Sequence, residues 1–441
     1  MLTVCLLGVG LGGPDSSTQA ASRHRDAGVG EARQVGSLAT PRHPDFDVVE
    51  EPARKVIHFI GTESRRLRYM KSTDGGLTWS SPEDLGAGWA ARMATDSKGN
   101  VHLVYGTDPW HDPADPPENG GQASTGWYRV RSSEGWSVPV ALRAPAMDFP
   151  AASVVGHWIT VGHRIAVDGN DNVHLTYYAW PENYKTVPWK ELQRTVYLRK
   201  PGGAASFEPA QMLRHGKDEK GGGAVGDLVV DRNGDVHLLY GSWNGSEWWT
   251  THVVRKKDGS WEDKIHDWIQ MTSDYSMKAA IGLNGLIHVA GFDDKTLSWI
   301  YCNNRHKPDV MRVIHVIEDD WEVDLEILVT PNNDVWMSRD NHYRKVDPQW
   351  PARPGGYRDN TAFYVHFDAT TSTWGPRTRL SPAGAQNSDA TKHLHAPKFI
   401  YYDGSVRIFY AERKEAGDFK YYQRTLSGPR PLARSSTTEH P

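Results

Sequence analysis

Short apolar runs alternate with turns of Asp, Asn and Gly along almost the whole chain, and one phrase keeps returning. An apolar strand leads into a polar turn, and a second strand opens with Val-His-Leu. Residues 93–105 read MATDSKGNVHLVY, residues 165–177 IAVDGNDNVHLTY and residues 228–240 LVVDRNGDVHLLY. Weaker copies occupy 279–290, 327–338 and 399–410, and a first copy with the turn Pro52-Ala53-Arg54-Lys55 covers 47–60, which makes seven. Period-two alternation around such a turn predicts a hairpin. A third strand is expected after most copies (127–131, 195–199, 363–367). A fourth, opened by Trp or Phe, is expected at 78–85, 135–142, 206–213 and 373–380. Four antiparallel strands per unit, repeating every roughly 45 to 70 residues, predict an all-β fold, a seven-bladed β-propeller of four-stranded antiparallel blades. The seventh unit runs out of chain before its fourth strand, and residues 34–40 are placed to supply it. One propeller domain is therefore expected over 34–426, after a flexible segment at 23–33 and before a disordered tail at 427–441.

Composition agrees with this reading and narrows the function. The chain holds 18 Trp, 18 Tyr, 42 Gly and 27 Pro, a balance suited to turn-rich sheets. Its formal charge of -4, from 50 basic and 54 acidic side chains, gives no footprint for nucleic acid or an acidic membrane. Residues 1–13 are apolar and lead to Gln19-Ala20-Ala21-Ser22, which reads as a signal peptide over 1–22, atypical in having no basic residue before its core. A secreted, soluble and monomeric protein is expected, since no later stretch is long and apolar enough to span a bilayer. Cleavage would remove Cys5 and leave Cys302 as the single thiol.

The recurring His58, His102, His174, His237 and His288 share one repeat position. Seven blades set that position at different points around a ring, so these histidines cannot converge on one site and are expected to be structural. Residues just before each first strand and just after each second strand face the axis instead. Those slots hold His43, Asp45, Arg65, Arg66, Trp110, His111, His163, Trp180, Tyr184, Trp243, Tyr275, Asp324, Arg339, His342, Tyr343, His393, His395 and Arg413. Aromatic and imidazole side chains in such number suit carbohydrate stacking and proton transfer. The slots also differ from blade to blade, for example His163 against Ala91 and Gly226, and this points to one asymmetric pocket and an enzyme.

The stretch Ser72-Thr73-Asp74-Gly75-Gly76-Leu77-Thr78-Trp79 resembles the Asp-box, or BNR, repeat, with echoes at Ser133–Trp136, Asp258–Trp261 and Thr371–Trp374. Physically it is a clasp in which Asp74 accepts turn N–H groups and the Trp packs between strands, so a structural role is expected for it. Over residues 40 to 425 the chain resembles the BNR-repeat propellers, which include sialidases and polysaccharide lyases of the ulvan and rhamnosyl-glucuronate types. The Arg-Ile-Pro of sialidases is missing, and the nearest fragment, Arg164-Ile165, is followed by Ala166. The resemblance is closest in character to the lyases and implies β-elimination on a uronate-containing poly- or oligosaccharide. His163 and His111 would act as carboxylate neutraliser and base in some order, with Tyr184 as acid. Arg339, His342, His395, Trp110, Trp180 and Trp243 would bind the sugar. A sialidase-like or rhamnosidase-like hydrolase, with Asp45 and Asp324 as its carboxylates, and a non-catalytic glycan-binding propeller are the alternatives. No cofactor is required by this chemistry. Cys302, His306 and His315 form a candidate structural zinc site resembling one in the lyase propellers, while calcium on the axis has no sequence signature.

Overall fold

The computed structural model describes residues 28–40, 45–107, 126–142, 158–181, 194–213, 225–243, 248–262, 266–269, 277–293, 298–304, 312–317, 325–340, 362–376, 378–380, 394–412 and 418–427. Regular structure among these residues is entirely β, arranged as seven small antiparallel sheets. The innermost strands are Phe46–Glu51, Trp89–Thr95, Trp158–Val167, Val225–Val230, Lys278–Ile281, Leu325–Val329 and Leu394–Tyr402, for blades 1 to 7 in order. Each packs on the next and the seventh packs on the first, so the sheets form a closed seven-bladed β-propeller. The last blade is completed by Arg33–Thr40, which pairs antiparallel with Phe419–Ser427 as its fourth strand. Val35 and Leu38 of that strand are buried with Phe46, Phe59, Phe409 and Tyr421.

In blades 2 and 3 the repeat turn is tied to the blade interior by one relay, and blades 1, 4 and 5 carry variants of it. Asp96 accepts the N–H groups of Lys98 and Asn100 with one carboxylate oxygen and faces His102 Nε2 at 3.3 Å with the other. His102 Nδ1 then meets the Tyr128 hydroxyl at 2.7 Å on the third strand. Asp168, His174 and Tyr197 repeat this geometry in blade 3, with His174 to Tyr197 at 2.6 Å. Blade 1 uses Glu51, His58 and Tyr69. Blade 4 replaces the tyrosine with His252, 3.0 Å from His237. His288 bonds Tyr301 at 2.5 Å in blade 5. The recurring histidines are therefore structural, as the repeat implied.

The relay ends on the neighbouring blade. Trp136 packs edge-on to Tyr69 at 5.2 Å, Phe207 to Tyr128 at 4.9 Å, Trp261 to Tyr197 at 5.3 Å and Trp374 to Tyr301 at 5.0 Å. Each aromatic belongs to the outer part of the blade that follows its tyrosine. Arg131 and Arg255 add cation–π contacts to Tyr69 and Tyr197. Asp74 behaves as expected, accepting the N–H and hydroxyl of Thr78, while Trp79 packs edge-on to Phe59 and Phe409. The fourth strand of blade 1 begins only at Glu83, later than the sequence suggested, because the clasp holds Thr78 and ties Ser80 N–H to Lys71 O.

Trp261 also donates to Gln211, so it joins two blades by packing and by a hydrogen bond. Trp261→Ala is expected to lower the unfolding free energy by about 3 kcal/mol, measured by urea denaturation.

Burial pushes His58 and His288 down to about 4, against an ordinary imidazole near 6.5. The unfolded chain then takes up protons first as pH falls, so stability should decline from pH 6.5 toward 4. Replacing both imidazoles (His58→Gln, His288→Gln) should flatten that part of the urea-midpoint profile, whatever their effect at neutral pH.

Candidate functional site at the propeller axis

The seven innermost strands place one charged residue each at the same register. Asp47 pairs with Ile60, Arg92 with Val104, Arg164 with Thr176, Asp227 with Leu239, Lys278 with Ala290, Glu326 with Ser338 and Lys398 with Phe409. In blades 2, 3, 4 and 7 a β-bulge falls immediately before this position. A bulge adds a residue to one strand and re-aims the side chains that follow it. The seven groups form a ring of three acids and four bases. Side-chain exposures of 20% for Arg92, 14% for Arg164 and Asp227, 17% for Glu326 and 12% for Lys398 leave these groups partly open to solvent.

The acids of the ring are engaged with neighbouring blades. Asp47 accepts the Met93 N–H at 2.7 Å, and Asp227 accepts the Ala279 N–H at 2.9 Å and its neighbour Leu228 N–H at 3.0 Å. Glu326 receives Lys398 Nζ at 2.5 Å, between blades 6 and 7. Arg164 Nε donates to Gly226 O at 3.1 Å and lies 3.8 Å from Asp227. Arg92 donates to Ala91 O and to Asp45. Lys278 stands apart from this pattern, with no hydrogen bond or ion pair to a described residue. Burial, then Arg164 and Lys398, bring its amine down to about 7, against the opposing pull of Glu326 and Asp227. Burial also raises the Asp47 carboxyl, although Lys398 and Arg92 draw it back.

His163 lies in the innermost strand of blade 3, one residue before Arg164 and 1% exposed. Phe46, Ala91, Met277 and Leu325 occupy the matching position in other blades and are all buried, so this is a core slot. Neither ring nitrogen has a hydrogen-bond partner among the described residues, and the imidazole packs on Tyr177. Burial, with Arg164 and Arg92 beside it, takes its pKa down to about 3, so it is neutral at ordinary pH. Arg339 is buried on the second strand of blade 6, opposite Leu325. Trp180 and Trp243 end second strands, paired with Ile159 and Trp248, and His395 pairs with Ala411. The side chains of Trp180, Trp243 and His395 lie outside the described part. His111, Trp110, Tyr184, His342 and His306 lie outside the described residues, as do His43, Tyr275, Asp324, Tyr343, His393 and Arg413.

Cys302 is fully buried among Leu239, Met277, Ile287, Val289 and Ile300, and burial pushes its thiol pKa up. The register sets Val313 opposite Cys302 and His315 opposite Tyr301. A protonated thiol in an apolar cluster is a poor start for a zinc site, which needs thiolate. Among the described residues no group of three or more metal-binding side chains converges.

The ring leaves a trace in the sequence outside the slots expected to face the axis. In blades 2 to 7 the charged residue stands directly before the apolar run: Arg92 before Met93, Arg164 before Ile165, Asp227 before Leu228, Lys278 before Ala279, Glu326 before Ile327 and Lys398 before Phe399.

No family model and no curated protein matches the chain. Among solved structures, a protein of unknown function from Dyadobacter fermentans is similar at 11% identity and a TM-score of 0.47, over 90% of this chain and 99% of that one. A Hadza microbial sialidase is similar at 10% identity and 0.49, over 84% and 73%. A polysaccharide lyase is similar at 11% identity and 0.42, over 88% and 78%. Likenesses this distant carry no argument about activity.

Replacing one member of a paired charge leaves the other without its partner in a poorly solvated place. Glu326→Gln should therefore cost about 2 kcal/mol of stability through Lys398, read from the shift of the thermal or urea midpoint.

Proposed function

We propose that the protein is a carbohydrate-active enzyme that cleaves a uronate-containing glycan by β-elimination at the axial ring. The observation that carries this reading is the imbalance of the ring. Its three carboxylates are committed to backbone N–H groups or to Lys398, while Lys278 has an amine near neutrality and no hydrogen-bonded partner among the described residues. Elimination asks for positive charge on the uronate carboxylate, which acidifies the C5 proton, and for a base to remove that proton. The electron pair of the C5–H bond then forms the C4–C5 double bond as the C4–O bond breaks, and the leaving oxygen takes up a proton. Arg164 and Arg92 are suited to the carboxylate, and Lys278 in its neutral form is suited to the proton. Tyr184 remains the proposed proton donor, with His111, Arg339, His342 and His395 as proposed partners of the acidic sugar. His163, neutral and packed in a core slot, supports Arg164 in this scheme rather than meeting the carboxylate itself.

Hydrolysis would need two carboxylates able to exchange protons or attack the sugar. Asp47 and Asp227 are instead acceptors for the amides of the following blades, and of the two carboxylates named for hydrolysis Asp45 is held by Arg92 while Asp324 lies outside the described residues.

Incubation with ulvan and gum arabic should raise ultraviolet absorbance as the unsaturated uronate forms. New reducing ends without that absorbance would replace the lyase reading with a hydrolase, and silence in both assays would favour a glycan-binding propeller. The rate should climb as pH rises through about 7, because only the neutral amine accepts a proton. Lys278→Met should remove the activity by about a hundredfold or more.

A further inference from the structure

We propose that Trp89 forms a second sugar subsite, a stacking platform for the acidic glycan next to the axial ring. This rests on the glycan reading above and extends it to a residue that the reaction does not itself require. Trp89 opens the innermost strand of blade 2 and is 39% exposed, the one aromatic side chain among the exposed large hydrophobic residues described. Exposed tryptophan presents a flat apolar face and an indole N–H, a pairing suited to the apolar face and hydroxyls of a pyranose.

Its backbone is held unusually firmly for an exposed position. The next residue, Ala90, has φ +49°, a conformation that non-glycine residues seldom adopt and that the surroundings must enforce. The preceding residue, Gly88, is buried where a Cβ would meet Leu67 and Tyr105 at 2.7 and 2.9 Å. Gly88 N–H donates to Arg65 O at 2.9 Å. Arg65 belongs to the two-residue turn Ser64-Arg65 between Val56–Glu63 and Arg66–Ser72, and both turn residues have positive φ. The turn thus brings the exposed, cationic Arg65 close to the platform's backbone, on the same end of the blades. Strain at two adjoining segments, with an exposed aromatic between them, fixes a platform before any ligand arrives. Fixing it in advance avoids the ordering cost of binding.

The same strand carries Arg92 three residues on, after its bulge. The partners of Trp89 and Arg92 on the next strand, Gly106 and Val104, are two residues apart, so the separation is roughly 7 Å along the strand and puts Trp89 under a neighbouring sugar rather than the one at the ring. The ligand class is therefore an acidic glycan long enough to reach both positions, and chain length should govern affinity.

Calorimetric titration at about pH 5, where the charged Lys278 amine cannot take the C5 proton, tests this directly with two-sugar and six-sugar fragments of ulvan and polygalacturonate fragments of the same lengths in parallel. Trp89→Ala should weaken binding of the six-sugar fragment by roughly tenfold, leave the two-sugar fragment unchanged, and be largely rescued in Trp89→Phe. A Trp89→Ala protein that binds the longer fragment as tightly as the wild type overturns the subsite while leaving the glycan reading intact. A wild type that binds neither glycan at either length overturns both together.

Discussion

The structure depends on a relay that converts a local turn into contact between blades. In blade 3, one aspartate, Asp168, both caps its hairpin and orients His174, which fixes Tyr197, and Tyr197 receives the Trp261 edge from blade 4. Each link is modest, on the order of 1 kcal/mol, yet the chain of links makes blade geometry a consequence of turn geometry. Variation within the relay supports the same view. His252 substitutes for the tyrosine in blade 4 and stacks on His237, and Phe207 substitutes for the tryptophan in blade 3 and keeps the edge-on contact with Tyr128. What is preserved is a polar bridge ending in an aromatic face.

That outer frame leaves the axis free to vary. The innermost strands share a register, but the residue each presents at the ring position follows no fixed pattern: Asp, Arg, Arg, Asp, Lys, Glu and Lys come in order from Asp47 to Lys398. Opposite charges on successive blades neutralise one another at Arg164 and Asp227 and at Glu326 and Lys398. The surplus falls on the segment from Arg92 to Lys278, where two guanidinium groups and an amine are answered by Asp227 and by Asp45. A pseudo-symmetric scaffold thereby carries an asymmetric field, and such asymmetry is what a single reaction centre needs.

The fold was readable because turn chemistry is local. Asp96, Asp168 and Asp231 announce their hairpins in sequence, and the strand closing the ring was placed in advance by the shortage at the seventh blade. The site was read less well, for two physical reasons. The repeat is defined by its apolar strands, so in blades 2 to 7 the charged residue directly before each one falls outside the unit, and only Asp47 of blade 1 lies within it. His163 stood out against Ala91 and Gly226, but Phe46, Met277 and Leu325 show that the slot itself is part of the core. Sequence spacing also gives no sign of the bulges at Trp89 and Val161, and these decide where Arg92 and Arg164 come to lie.

The strand Arg33–Thr40 precedes blade 1 in the chain, yet its partner, Phe419–Ser427, comes only after the inner strands of blade 7. Until that partner exists, the strand is an unpaired edge and blade 7 has no outer layer. Blades 1 to 6 are made of neighbouring hairpins and can assemble in order, whereas the final pairing spans nearly the whole chain and bears the largest loop-closure entropy. Ring closure is thus a late folding event. Until the circle is complete, the hydrogen-bonding groups of Arg33–Thr40 are free to pair with another strand, a state open to mispairing.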